Sequence, residues 1–311
     1  MPQTSIHYTQ GFKYALGWNR FNLSCVGAWP DSSDGFFGKH NSLLCGFWIL
    51  IMVYLPRSAS IIIFWGDMDA VITCLSINGP LLVTIGKLWI MYYHREVMRM
   101  VIAAMAKDWA IPLGKAESEV MWRIARISRG ISIGSASLTN VLFVAFVVFE
   151  ICLGMQLKNR MELEPRSSIG ALYPAYFPYD TRRLEYFLPT WMGQCLCTGL
   201  AMIAYAAFDS VMALMVLHVC GQLELMGISM TDLINASTRM NRQEFSWRFA
   251  ELIKRHEELN RIAKLIENSF NYIFLPQMVV CTISFCFQGY TMLSVSDVYE
   301  NYHGHNIIRL I

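Results

Sequence analysis

Residues 131–155 read ISIGSASLTNVLFVAFVVFEICLGM, a run with one charged side chain, Glu150, and no proline. At about 1.5 Å per residue, a helix of this length spans the roughly 30 Å hydrocarbon core of a bilayer. Helices on the surface of soluble proteins keep one polar face; this run has none. Four more stretches share the pattern: 42–64, 70–93, one within 187–217, and 272–295. The first is interrupted by Pro56 and Arg57, which leaves two readings open. It is either a kinked span or a span ending near Leu55 followed by an interfacial turn. Composition agrees with a lipid environment. Hydrophobic residues make up 55% and charged residues 15%, where soluble domains carry about 25% charged residues. Mean hydropathy is +0.37. The expected fold class is all-α, a polytopic membrane helical bundle with the lipid bilayer as its solvent.

Between these spans lie segments of two kinds. Segments 94–130 and 218–271 are long and charged but keep apolar residues at helical spacing. In the second, Phe245, Phe249, Leu252, Leu259, Ile262, Ile266 and Phe270 form one stripe, and Glu251, Lys254, Arg255, Glu258, Arg261 and Lys264 fill the other faces. Both read as helices that leave the membrane and pack on each other in water. Segment 156–186 is a proline- and aromatic-rich loop instead, with Pro165, Pro174 and Pro178 among Tyr173, Tyr176, Phe177, Tyr179 and Tyr186. The last residues, Asn306 to Ile311, read as the first turn of a sixth span that is cut off. The expected organisation is an N-terminal segment 1–41, a bundle 42–295, and an outer loop leading into that truncated sixth span over 296–311.

Lysine and arginine are retained preferentially on the cytoplasmic side. Segments 1–41, 94–130 and 218–271 hold 17 of the 25 such residues, against 7 on the opposite set, Arg57 among them. The bias places the N-terminus in the cytoplasm, opposite to a G-protein-coupled receptor. Lys87, near the inner end of the second span, is then expected to snorkel to the interface. Glu150 is expected to meet water at the outer end of the third span, and Asp209 near the cytoplasmic projection of the fourth. No signal peptide precedes the first span.

The residues give no support to an enzyme. There is no nucleophile elbow, Walker loop or HExxH, and no paired carboxylates on one face. The nine cysteines are odd in number and irregularly spaced, so they imply no disulfide framework. The Cys195–Cys197 pair lacks neighbouring ligands, and His303 and His305 stand too close together to signal a site, so no metal and no cofactor are expected. A net charge of +2 without a basic stripe gives no reason to expect nucleic acid. Aromatic and methionine side chains with a hydroxyl or two on the spans suit either a site for a small, mostly apolar ligand or the packing of helices on each other and on lipid. By depth and chemistry the candidate ligand-binding residues are Ile72, Ser76, Phe143, Phe146, Met202 and Tyr205.

The order of several short motifs then becomes informative. Trp29-Pro30 precedes the first span, and Asp108-Trp109 follows the second. Tyr173-Pro174 and Phe177-Pro178-Tyr179-Asp180 lie in the loop before the fourth span, and His218-Val219-Cys220-Gly221-Gln222-Leu223-Glu224-Leu225 follows that span. Lys254-Arg255-His256-Glu257-Glu258-Leu259 leads to Ile266-Glu267-Asn268-Ser269-Phe270 and Leu275-Pro276-Gln277. In this arrangement the chain resembles the insect odorant receptors over essentially its whole length. The resemblance implies seven spans, a cytoplasmic N-terminus and a multi-pass location in the plasma membrane. It implies binding of small volatile organic ligands and a non-selective cation channel formed as a hetero-oligomer with an olfactory co-receptor. It also puts the ligand pocket in the outer half of the second, third, fourth and sixth spans, and gives the cytoplasmic helices to subunit contacts. The family's pore-lining seventh span has no counterpart here, so a chain ending at Ile311 is expected not to conduct. An insect gustatory receptor shares fold and topology and is the nearest alternative; a G-protein-coupled receptor needs an external N-terminus.

The chain has two N-glycosylation sequons, Asn22-Leu23-Ser24 and Asn235-Ala236-Ser237. With the N-terminus inside, both face the cytoplasm and stay unmodified. Glycosidase treatment of the expressed chain should leave its gel mobility unchanged, while a sequon engineered into 156–186 should produce a shift. A shift traced to Asn22 or Asn235 would put that segment outside and reverse the orientation.

Overall fold

The computed structural model describes residues 2–30, 36–63, 65–66, 68–112, 114–160, 172, 175–179 and 183–308. Among them there is no strand. The helices are α1 (Pro2–Cys25), α2 (Phe36–Ile49), α3 (Leu55–Ile63), α4 (Met68–Tyr93), α5 (Arg95–Ala110), α6 (Lys115–Arg160), α7 (Leu184–Ala236), α8 (Arg242–Phe270) and α9 (Phe274–Ile308). Five segments are long and apolar enough to cross a membrane: His40–Ile63, Val71–Tyr93, Lys115–Cys152, Glu185–Arg239 and Arg242–Leu293. Each overlaps one expected span, and the chain is a helical membrane bundle. At 46 and 53 residues, α6 and α7 reach about 70 and 80 Å, far more than a bilayer core needs. Leu142, Val144, Val148 and Phe149 of α6 are exposed, as side chains meeting lipid must be.

Local chemistry sets the helix ends. Gly27 takes φ 68° and closes α1, with Ala28 N–H donating to Leu23 O at 2.8 Å. Between α5 and α6 the chain breaks at Ile111-Pro112. Gly114 caps the new helix, and its N–H donates to the Glu117 carboxylate at 2.8 Å. The charged segment after the second span is therefore two helices rather than one continuous run. Asn241 caps α8, its side chain accepting from Glu244 N–H at 2.7 Å.

The first span continues past its proline. Leu50–Tyr54 form a π-helical turn, in which Leu55 N–H donates to Leu50 O, and α3 follows directly. The wider turn accommodates Pro56, whose ring would otherwise crowd the preceding turn and whose nitrogen carries no hydrogen. Of the two readings left open by the sequence, the kinked span is the one found.

Two compact units divide the chain. One comprises Met1–Leu43, Leu88–Val141 and Met202–Tyr272; the other comprises Leu44–Lys87, Leu142–Ala201 and Ile273–Ile311. In the first, α1 packs against α5, α6 and α7. Gly11 lets it approach so closely that a methyl group there would lie 2.2 Å from the Trp109 ring. Arg129 donates to Tyr14 O at 3.1 Å, with its guanidinium 4.2 Å over the Tyr14 ring. The Ser210 hydroxyl donates to the Asn19 side chain at 2.7 Å, both fully buried. Phe270, at the end of α8, packs on Phe208 of α7 and on His94.

Three expectations meet a different arrangement. Lys87 is fully buried; the protein encloses its ammonium, which does not reach out to an interface. Arg57, counted above with the outer loops, lies inside α3 at 1% exposure. Helix α9 continues through Ile308, so 296–308 are helical where the sequence reads as a loop. The apolar pattern fades there, but an isolated polar stretch still propagates a helix already formed. Residues 309–311, and Pro165, Tyr173, Pro174 and Asp180 of the loop, lie outside the described residues. Of the sequon asparagines, Asn22 is buried and Asn235 exposed, so Asn235 is the informative one.

Replacing Gly11 by alanine should destabilise the chain by about 1–3 kcal/mol, because the Trp109 ring must move. Gly17→Ala, on the same helix with nothing within 4 Å, should instead hold or raise the melting temperature. Thermal unfolding of both variants in nanodiscs checks the pair.

Candidate functional site

The six candidate ligand residues divide between the units. Ile72, Ser76, Phe143 and Phe146 fall in the second, Met202 and Tyr205 in the first. Ile72 and Ser76 stand one turn apart on α4, half-buried and buried. The Ser76 hydroxyl turns back on its own helix and donates to Thr73 O at 2.9 Å. Phe143 and Phe146 are half-buried on α6, whereas Phe149, at the next three-residue step, is 62% exposed. A methyl group on Gly199 of α7 would sit 3.3 Å from the Phe143 ring, so Phe143 lies at a close approach of α6 and α7. Met202 and Tyr205 are half-buried on α7.

Around Ser76 the second unit holds a buried polar seam that the sequence reading missed. Arg57 donates to Thr73 O at 3.0 Å, and the Asn78 amide donates to the Ser58 hydroxyl at 3.2 Å. The Ser284 hydroxyl of α9 donates to Ser76 O at 3.0 Å. Glu150, on α6, is within electrostatic reach of Arg57. A buried charge needs such neighbours, and the only hint in the sequence was an arginine inside an apolar run. Residues of the proline- and aromatic-rich loop close on the same unit. Leu172 N–H donates to the Gln194 side chain at 3.2 Å, Tyr176 N–H to Pro56 O at 2.9 Å, and the Tyr179 and Thr190 hydroxyls pair at 2.8 Å.

The first unit contains the most concentrated polar arrangement. Asp108 of α5, at 4% exposure, accepts from two helices. Its Oδ1 takes Arg255 Nη2 of α8 at 2.6 Å, and its Oδ2 takes His218 Nε2 of α7 at 3.0 Å. A carboxylate only accepts, so the Nε2 of His218 carries the hydrogen. Arg255 also donates to the Gln222 side chain and to Glu258, each at 2.8 Å. Gln222 completes the set by donating to the Met121 sulfur at 3.2 Å. Nearby, Arg123 pairs with Glu224 at the surface. Close to the end of α4, burial holds the His94 imidazole below its ordinary pKa, so it is neutral at pH 7.

These contacts gather three stretches that lie far apart in the chain: Asp108-Trp109, the segment from His218 to Leu225, and the segment from Lys254 to Leu259. Comparison with known proteins bears on the same residues. The family model described as 7tm Odorant receptor matches residues 67–303. The chain belongs to the odorant receptor family. Odorant receptor 13a of Drosophila melanogaster is 21% identical over 304 residues, covering 90% of this chain and 69% of the relative. All six members of the Asp108 cluster fall inside the region that the family model matches, while α1 lies outside it. Receptor and channel, rather than catalyst, is the character of the family.

Removing the Asp108 carboxylate leaves Arg255 and His218 facing a gap. Asp108→Ala should therefore destabilise the receptor chain by about 3–5 kcal/mol. Glu224→Ala, which breaks only the exposed pair with Arg123, should change stability by less than about 1 kcal/mol. Chemical unfolding of the purified chain in detergent compares the two.

Proposed function

We propose that this chain is an odorant-binding receptor subunit that acts with an olfactory co-receptor to gate a non-selective cation channel. The reading includes a plasma-membrane location in olfactory neurons and a cytoplasmic N-terminus. The observation that carries it is the family match over residues 67–303. Two features support it. The excess of Lys and Arg on segments 1–41, 94–130 and 218–271 favours that orientation. The candidate ligand residues are apolar and aromatic, with hydroxyl groups at Ser76 and Tyr205, which suits a small volatile ligand with one polar group.

The test is co-expression of residues 1–311, completed by a family pore-lining span fused after Ile311, with an olfactory co-receptor in oocytes, challenged with a fixed panel of volatile alcohols, esters, aldehydes and ketones. An odorant-evoked inward current that reverses near zero voltage is expected. Silence across the panel, with both subunits confirmed at the surface, would count against the reading. Within a responding receptor, Phe143→Ala and Tyr205→Ala should raise the half-maximal concentration about tenfold through loss of aromatic contact. Phe149→Ala, at an exposed position, should leave it unchanged.

A further inference from the structure

Helices α4 and α9 approach each other along small residues in an antiparallel register. A methyl group at Gly86 would lie 3.3 Å from Ile273, and one at Gly79 would lie 2.8 Å from Val280. The third contact in the series is the hydrogen bond from Ser284 to Ser76 O at 3.0 Å. Seven residues separate the first two contacts on each side, Ile273 lying in the turn that leads into α9, and three or four separate the next. Small residues let membrane helices come this close.

Pro80 sits inside α4. In a regular helix the N–H of residue 80 would donate to the carbonyl of residue 76, and proline has none to give. The carbonyl left open is the one that Ser284 takes, and both serines are buried. A neighbouring helix thus supplies the hydrogen that α4 lacks, at the one place where the backbone of α4 is interrupted. The neighbouring Thr84 hydroxyl bonds Pro80 O at 2.8 Å, so the turn after the break is tied within α4 itself. The bond across the break is the part that can open without breaking a helical hydrogen bond.

We propose that Gly79-Pro80 is a hinge in α4, and that the Ser284 hydroxyl is the latch that couples movement of α4 to α9. Ile72 and Ser76 lie on the N-terminal side of the hinge. A ligand that displaces that half of α4 changes the hold of Ser284 on Ser76 O, and so acts on α9. In this respect the inference rests on the receptor reading above; the existence of the latch does not.

A double-mutant cycle on the full chain tests the latch without an odorant. Ser284→Ala should lower the melting temperature in nanodiscs by about 3 °C, the scale of one lost hydrogen bond. Ser284→Thr, which keeps the hydroxyl, should hold it. In Pro80→Ala the helix regains its own N–H, and adding Ser284→Ala should then shift the midpoint by less than about 1 °C. Equal shifts in both backgrounds would overturn the latch. Hydrogen exchange across residues 77–84 tests the hinge: Pro80→Ala should slow it severalfold, Ser284→Ala should speed it, and exchange indifferent to Pro80 overturns the hinge. In a receptor that responds to the odorant panel, Ser284→Ala should move the half-maximal concentration about fivefold, Ser284→Thr should not, and the effect should vanish in Pro80→Ala. A receptor silent to the panel defeats the odorant reading alone, because the melting cycle and the exchange data still decide the latch and the hinge.

Discussion

In hydrocarbon, no water is available to a backbone N–H or C=O, so each must find its partner within the protein. That constraint explains more of this chain than any single contact does. It makes every span a helix and also predicts where the helices need help. Prolines 56 and 80 each remove a donor from a membrane segment. At Pro56 the chain widens by one residue into a π turn, and the proline's own carbonyl receives Tyr176 N–H. At Pro80 the helix keeps its pitch and a serine from α9 supplies the missing hydrogen. The two solutions differ in kind. The first is local and fixed by the covalent chain; the second depends on another helix staying in place.

The first unit is organised by charge instead. Asp108 is almost fully buried yet satisfied by an arginine and a histidine from two other helices. Charge-assisted hydrogen bonds in a low dielectric are strong when complete, and the same groups are destabilising when one partner is absent. A cluster of this kind fixes the register of α5, α7 and α8 because no sliding of one helix keeps all the bonds. The helix α1 adds a second fixed point, wedged at Gly11 against Trp109.

Spans and helical class could be read from the sequence because hydropathy and periodicity are local properties; the expected loop 156–186 loses 156–160 to α6 and 184–186 to α7. The placement of buried charge could not. Lys87 and Arg57 looked like residues that reach an interface, since long cationic side chains commonly do; their enclosure depends on which helices surround them, and no window of sequence contains that. The Asp108 cluster was half visible. Its members stood in motifs quoted for their order along the chain, yet nothing in the spacing showed that Asp108, His218 and Arg255 touch across 147 residues. The stripe on α8 was read correctly as a face, but only its C-terminal part, Leu259, Ile262, Ile266 and Phe270, is buried. Phe249 stays exposed at 36%, because amphipathic spacing marks a face without saying how far a partner extends along it. The six candidate ligand residues were chosen by depth and chemistry, and those two criteria do not fix which unit a residue joins.

The contrast between the units bears on where conformational change is least costly. Contacts that hold the first unit include a full ion pair and charge-assisted bonds, each contributing about 1.5–3 kcal/mol. Around Ser76 in the second unit the ties between α3, α4 and α9 are largely single hydrogen bonds between neutral groups or to backbone carbonyls, nearer 1 kcal/mol each. Arg57 is the exception, and its bond to Thr73 O lies on the N-terminal side of Pro80 together with Ile72 and Ser76. The segment of α4 before the proline is therefore anchored to α3 by a charged group and by the neutral Asn78–Ser58 bond, and to α9 by one neutral hydroxyl, so its hold on α3 is the stronger of the two.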